Sequence, residues 1–262
     1  MRGPPFERLA PVYDRVYSWK DYPLEVRRIE ELVRRWGPRP ARTLLDVGCG
    51  TGGHLRHLSR RYRCWGVDAS PEMLSVARRE VPNVRLVRGS MPEFDLQRRF
   101  DVIVCLFSAI GYVRNVADLR RTVRTFARHL NPGGVVIVEP WLTKAVWRPG
   151  AVHLLSIPSK TEPIARMTAS SVRGARSRMT MHYLAAERGR IRYWVERHEM
   201  TLFDRKEMAE AFRAAGLTVR RVPSRFGYGT DRGLYVGTAK GNGRRTPENP
   251  STGSPAERRR MT

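Results

Sequence analysis

A short apolar run that breaks into alternating glycines, Thr43-Leu44-Leu45-Asp46-Val47-Gly48-Cys49-Gly50-Thr51-Gly52-Gly53, constrains the fold of this chain more than any other segment. Glycines let the backbone turn through positive φ and leave main-chain N–H groups open to a ligand. Leu55 and Leu58 follow at helical spacing. The local order is therefore strand, tight turn, helix. Asp68 closes the next apolar run, Cys64 to Val67, 20 residues past Gly48. A strand-end carboxylate at that distance reaches both hydroxyls of a ribose. A cofactor containing a nucleoside is expected, and two kinds compete. Gly48, Gly50 and Gly53 satisfy the dinucleotide fingerprint G-x-G-x-x-G, but a lone match is weak. Asp46, two residues before the first glycine, would repel a pyrophosphate and would suit an ammonium, such as that of S-adenosylmethionine (SAM).

The rest of the chain extends this unit. Pro23 opens a helix carrying Leu24, Ile29, Leu32, Val33 and Trp36, which Gly37-Pro38 stops. Ser70-Pro71-Glu72 reads as an N-cap, a first-turn proline and a first-turn acid. Strands are expected at Val84–Val87, Phe100–Leu106 and Val135–Val138, the second almost wholly apolar, as in a strand covered on both faces. Leu119, Val123, Phe126 and Leu130 mark the helix between the last two. The fold class is thus α/β, a doubly wound and mostly parallel sheet. Polar and apolar residues then alternate over 165–202. Three antiparallel strands are expected there, Ala165–Val172, Arg176–Ala185 and Arg190–Leu202, forming a small inserted sheet within about 150–202. A helix over Arg205–Ala215 and strands Thr218–Val222 and Gly233–Ala239 follow. One domain is expected over 1–240, with an aromatic-rich lid and helix over 1–37. Residues 241–262 hold Pro, Gly, Ser, Asn and Arg, and read as a disordered basic tail.

Composition narrows the partners. The 262 residues contain no apolar run of membrane-spanning length and no apolar leader, so a cytoplasmic protein without a membrane partner is expected. Cys49, Cys64 and Cys105 are unevenly spaced, which argues against a metal site or a disulfide framework. His54 and His57 lie three apart on a helix, but no third ligand accompanies them. A solvated helix face is expected instead of a metal pair. Net charge is +24, from 49 Lys+Arg against 25 Asp+Glu. Five of those cations are lysines, and the arginines run along the whole chain instead of forming one basic block. That spread argues against nucleic acid and leaves room for an acidic small-molecule substrate. A homodimer is a further expectation.

Three segments in register resemble class I SAM-dependent methyltransferases. They are Asp46-Val47-Gly48-Cys49-Gly50-Thr51-Gly52, Gly66-Val67-Asp68-Ala69-Ser70-Pro71-Glu72-Met73-Leu74, and Leu130-Asn131-Pro132-Gly133-Gly134 before Val135–Val138. Four others point further, and of these the strand-four and C-terminal segments are much more specific than the glycine turn. Leu9–Asp14, Cys105–Tyr112, Val138–Trp141 and Asp231–Gly237 are similar to the TDP-amino-sugar N,N-dimethyltransferases of antibiotic biosynthesis, and Arg178–Tyr183 is similar too. The likeness covers about residues 6–240. The turn after strand four, Leu106-Phe107-Ser108-Ala109-Ile110-Gly111-Tyr112, lacks the prolines with which base-methylating enzymes hold a flipped nucleotide.

The resemblance implies SAM as cofactor and methyl transfer to the amine of a nucleotide-diphosphate sugar. Methylation of N or O in another small metabolite is the alternative, followed by an RNA-binding or RNA-methylating role. Asp46, Gly48, Gly50 and Gly52 are expected at the methionine end of the cofactor and Asp68 on its ribose. Ser90, Met91 and Leu106 are expected around its adenine, with Ser90 standing where relatives carry an acid. Tyr13 is expected to close over the cofactor and face the sugar. Trp141 walls the substrate pocket, Glu139 orients a hydroxyl or amine, and Arg178 and Arg232 bind the diphosphate. Tyr112 departs from the family, whose amino-sugar enzymes carry a histidine there. It can hydrogen-bond an amine, but a phenol with a pKa near ~10 is a poor base at neutral pH.

Overall fold

The computed structural model describes residues 6–227, 229 and 231–241. Its centre is a seven-stranded sheet of β1 (Thr43–Val47), β2 (Arg63–Asp68), β3 (Arg85–Arg88), β4 (Phe100–Cys105), β5 (Leu130–Val138), β10 (Thr218–Val222) and β11 (Leu234–Thr238). The spatial order is β10-β11-β5-β4-β1-β2-β3. Only β11 runs against its neighbours. β1 lies between β2 and β4, so the chain winds outward from it in both directions. Crevices at such a point, beyond the carboxyl ends of the strands, are where ligands bind in open sheets.

Both faces of the sheet are covered, which explains the continuous apolar strands. Leu44, Val102, Val104 and Ile137 pack under α2 (Tyr22–Trp36), α3 (Leu55–Leu58) and α4 (Pro71–Glu80). Leu45, Val47, Ile103, Cys105 and Val136 face α5 (Val116–Arg128) and α6 (Arg205–Ala214). Each fully buried Leu, Ile or Phe contributes about 1.5–3 kcal/mol. Helix starts are set by side chains. Asp21 Oδ1 accepts from Leu24 N at 2.8 Å, Ser70 Oγ accepts from Met73 N at 3.1 Å, and Asp204 and Glu207 cap each other's main chain.

A second, antiparallel sheet contains β6 (Val152–Ile157), β7 (Ile164–Arg173), β8 (Arg176–Glu187) and β9 (Arg190–Thr201), in that order. Three of these strands follow the polar–apolar alternation closely. The fourth, β6, was not expected, because Val152, Leu154, Leu155 and Ile157 put apolar groups on both faces and hide the period. The inner face packs on a short N-terminal segment, a 310 turn (Ala10–Val12) and α1 (Tyr13–Val16), around Leu9, Val16, Ile164, Tyr183 and Trp194. A second 310 turn, Ala109–Tyr112, follows β4 and meets β9, where Thr201 Oγ1 donates to Val113 O at 2.6 Å. Beyond Gly241, the segment read as a disordered tail lies outside the described residues.

Gly66 shows how tightly the glycine turn is seated. A Cβ there would lie 2.7 Å from Leu86 Cδ2 and 2.8 Å from Cys49 Sγ. Gly66→Val should therefore lower unfolding stability by roughly 1–3 kcal/mol, read as a lower urea midpoint at unchanged m-value. A midpoint equal to that of the parent would show the packing here to be looser than described.

Candidate active site

Gly48, Gly50 and Gly52 take φ of +76°, +55° and +86°. Only such a path lets the chain leave β1 and fold back over the end of β2. Gly48 N and Cys49 N both donate to Val67 O, at 2.7 and 3.1 Å. Asp68 Oδ2 accepts from Gly50 N at 2.8 Å, and Oδ1 from Ser70 N at 2.9 Å. Burial raises the Asp68 pKa, and these main-chain donors oppose that. A Cβ on Gly48 would come within 2.7 Å of Ala109 Cβ and 3.2 Å of Met91 Cε, whereas one on Gly50 would meet open space. The crevice is thus narrow at Gly48 and open at Gly50.

Asp46 is 1% exposed, and its Oδ2 has no hydrogen-bond partner among the described residues. Burial, with the charge of Asp68 adding to it, pushes its pKa up to about 8. An unpartnered buried carboxylate is costly. Its presence beside the glycine turn fits a ligand that brings an ammonium, and not one that brings a pyrophosphate.

The N-terminal segment closes one side. Thr51 Oγ1 donates to Asp14 Oδ1 at 2.7 Å. Tyr13 stacks obliquely on Tyr17 with ring centres 4.7 Å apart, and Tyr17 meets Phe107 edge-on at 5.2 Å. Burial raises the Tyr13 pKa well above a free phenol's. Behind this wall, buried Glu25 binds Lys20 Nζ through one oxygen, and His54 Nε2 lies 2.8 Å from the other. The expectation of a solvated histidine face is thus corrected for His54. It lies inside the protein because Leu55 and Leu58 turn the short α3 inward and Glu25 waits opposite. Burial lowers the His54 pKa against the pull of that carboxylate. His57 is half-buried against Tyr22.

On the other side, Glu139 at the end of β5 is buried and accepts from Phe107 N at 2.6 Å. Arg232 Nη1 reaches Glu139 Oε1 at 3.3 Å and Ser108 Oγ at 2.6 Å, and its guanidinium sits 5.2 Å from the Trp141 ring centre. Burial raises the Glu139 pKa, and the positive charge of Arg232 opposes it. Trp141 Nε1 donates to Ser177 Oγ at 2.9 Å, joining the two sheets. Tyr112 Oη lies 2.8 Å from His198 Nδ1. Leu106 is buried, Met91 half-buried, and Ser90 exposed just beyond β3.

Arg178 does not join this group. Cross-strand pairing puts it opposite Glu199 on the outer face of the second sheet, where the carboxylate holds its Nε at 2.8 Å. The inner face carries a different arginine, Arg166, paired across β7 and β8 with Tyr183. Its Nη1 reaches Tyr17 Oη at 3.3 Å, its Nε has no hydrogen-bond partner, and among the described residues no carboxylate pairs with it. Arg166, His198, Glu196 and the Lys20–Glu25–His54 cluster were not found from sequence. A signal existed for two of them: Glu196 and His198 share the period-two phase of the apolar Trp194 and Met200, the buried side of β9.

Known proteins resemble this chain in sequence and fold. A family model described as a methyltransferase domain matches residues 44–134. A dTDP-3-amino-3,6-dideoxy-alpha-D-glucopyranose N,N-dimethyltransferase from Streptomyces fradiae is 41% identical, over 90% of this chain and 93% of its own. The crystal structure of Streptomyces venezuelae DesVI superposes with a TM-score of 0.82 at 38% identity, covering 88% of this chain and 98% of the other. SAM-bound CalS10, an amino pentose methyltransferase from Micromonospora echinaspora, superposes at 0.78 and 33% identity, covering 92% and 100%.

The raised pKa of Asp46 yields a test of its expected place at the cofactor's ammonium. Below about pH 8 the free protein holds this carboxyl largely protonated. An ammonium placed beside it would lower its pKa, so the expected outcome is that SAM binding releases a proton and tightens as pH rises from 6 toward 7.5, by at most about tenfold per unit. Calorimetry in buffers of different ionisation enthalpy reads the release directly. Asp46→Asn should abolish it and weaken binding; a variant that releases the same proton would clear Asp46 of the role.

Proposed function

The chain belongs to the SAM-dependent methyltransferases that include the dTDP-amino-sugar N,N-dimethyltransferases, and from that premise we propose that its acceptor is the amine of a nucleotide-diphosphate sugar. One observation carries the reading. The amino-sugar relatives match across nine-tenths of the chain, second sheet included, and not merely across the cofactor-binding residues 44–134.

SAM supplies an electrophilic methyl group on a cationic sulfur. Asp46 balances the ammonium end, and the main chain at Gly48, Gly50 and Gly52 wraps it. Asp68 takes the ribose hydroxyls, and Ser90, Met91 and Leu106 border the adenine. Tyr13 and Trp141 wall the acceptor, and Glu139 orients it both directly and through Arg232. The chain's part would be to hold the acceptor as a free amine facing the bound methyl donor, since positioning supplies most of such a transfer. Aromatic faces such as that of Tyr13 favour the cationic path. The two phosphates call for guanidinium forks. Arg232 and Arg166 take that part, since both lie on the inner side; Arg178 faces away.

Incubation with SAM and a panel of TDP-amino sugars, followed by mass spectrometry, tests the acceptor: methylene increments are expected, and none on any member would sink the reading. Arg166→Ala and Arg232→Ala should each raise KM for the sugar nucleotide about tenfold or more at unchanged SAM affinity, while Arg178→Ala stays near the parent.

The proposal extends to a homodimer in the cytoplasm. No described helix is long and apolar enough to cross a membrane. On the outer face of the second sheet Leu154 pairs across to Met167, and Leu184 to Tyr193, all at least half exposed. An apolar patch of this kind suits an interface. Leu154→Glu with Leu184→Glu should convert a sedimenting dimer to monomer; a parent that sediments as a 30.1 kDa monomer would exclude the surface.

A further inference from the structure

Tyr112 and His198 reach each other from different sheets. Tyr112 ends the 310 turn after β4, three residues past Ala109, the residue against Gly48. His198 lies on the inner face of β9 and is 1% exposed. Their contact is 2.8 Å from hydroxyl to Nδ1. The phenol donates in it when the ring hydrogen sits on Nε2, the tautomer on which the inference below depends. Nε2 lies 3.2 Å from Glu196 Oε2, within ion-pair range though off a hydrogen-bond angle. Glu196 is itself fixed, accepting from Leu9 N at 3.0 Å and Phe6 N at 3.3 Å. The Phe6 ring covers the pair, 5.6 Å from the Tyr112 ring and 5.0 Å from the imidazole.

Tyr112 alone cannot serve as a base, since burial raises its pKa well above the ordinary phenol value. Through His198 it can pass a proton on without ever becoming a phenolate. We propose that Tyr112, His198 and Glu196 form a proton outlet for the methyl-accepting amine. The inference rests on the amine-methylating reading above. An N–H bond of the substrate ammonium breaks as a new O–H bond forms on Tyr112; the old O–H bond breaks as N–H forms on His198 Nδ1. The amine keeps its lone pair and becomes nucleophilic. The positive charge moves from substrate to imidazole, where Glu196 faces it, and the proton returns from Nδ1 through Tyr112 to water once the methylated product has left, which restores the starting tautomer. A second methylation needs the outlet again, because the monomethylated product is born as an ammonium. The other ionisable groups around the pair are Tyr13, Tyr17 and Tyr183, neutral at these pH values, and Asp68. Glu196, 3.2 Å from Nε2, favours a cation on the ring.

The test compares the parent with Tyr112→Phe and His198→Asn on a TDP-amino sugar that the parent methylates. Asparagine keeps an acceptor near the position of Nδ1 but cannot take a proton. Without the outlet, only substrate that arrives as free amine reacts, about one-tenth of an amine of pKa ~8 at pH 7. Both variants should lose about tenfold in kcat at pH 7, accumulate monomethyl product, recover by pH 9, and keep the parent KM for SAM. A loss equal at every pH marks a purely structural role and overturns the outlet, as does no loss. Nitrogen NMR of the labelled imidazole gives a readout free of turnover: His198 should be the Nε2–H tautomer, its Nδ1 shift moving in Tyr112→Phe. An Nδ1–H tautomer overturns the proposal outright. A parent that methylates no amine sinks the substrate reading and this role with it, whereas pH-flat variants of an active parent sink only the outlet.

Discussion

The bond between Gly50 N and Asp68 Oδ2 organises the cofactor side of the molecule. It ties the turn after β1 to the end of β2, and with the paired donors to Val67 O it holds three glycines in left-handed conformations. Strain and unmet polarity then collect at the same end of the sheet. Asp46 keeps an unpartnered oxygen, and Phe107 and Ser108, beyond β4, take φ of +50° and +60°. Neither residue is a glycine, so both positions cost of order 1 kcal/mol or more. The covered strands below offset these costs, and local rules fail where a ligand is expected to stand.

The N-terminal segment couples the two sheets. Asp14 binds Thr51 of the glycine turn, Arg15 pairs with Glu162 before β7, and Leu9 N donates to Glu196 on β9. One short stretch thus touches the cofactor turn and the acceptor wall together. Within it, Tyr17 meets both Phe107 and Arg166.

What the sequence made legible follows from the range of the forces involved. The glycine turn, the cap at Ser70 and the strands near Asp46 and Asp68 are local, and spacing alone placed them. The second sheet was legible where one face is polar; β6 was not, because Leu154 and Leu155 are both apolar. Long-range pairings left weaker traces. Glu25 meets His54 across 29 residues and Tyr112 meets His198 across 86. Neither partner announces the other, although the alternation phase of β9 already put a glutamate and a histidine on its buried side. Arg178 and Arg166 illustrate the same limit: a strand's period says which residues share a face, and only the register of the whole sheet says which face looks inward.

Charge gains meaning once these positions are known. Much of the excess arginine lies on the surface, stacked on rings or paired with acids: Arg85 and Arg98 flank Trp65, and Arg35 and Arg220 flank Trp36. A net charge of +24 therefore says little about the crevice. There the signs are sorted by end. Asp68, and Asp46 once an ammonium draws off its proton, put negative charge at the glycine turn, while Arg166 and Arg232 place guanidinium groups on the side facing the second sheet. Under the proposed function the first end receives a cationic cofactor and the second an anionic sugar nucleotide. Each ligand then meets its counter-charge at its own end, which orders the pair with the amine between them, the arrangement methyl transfer requires.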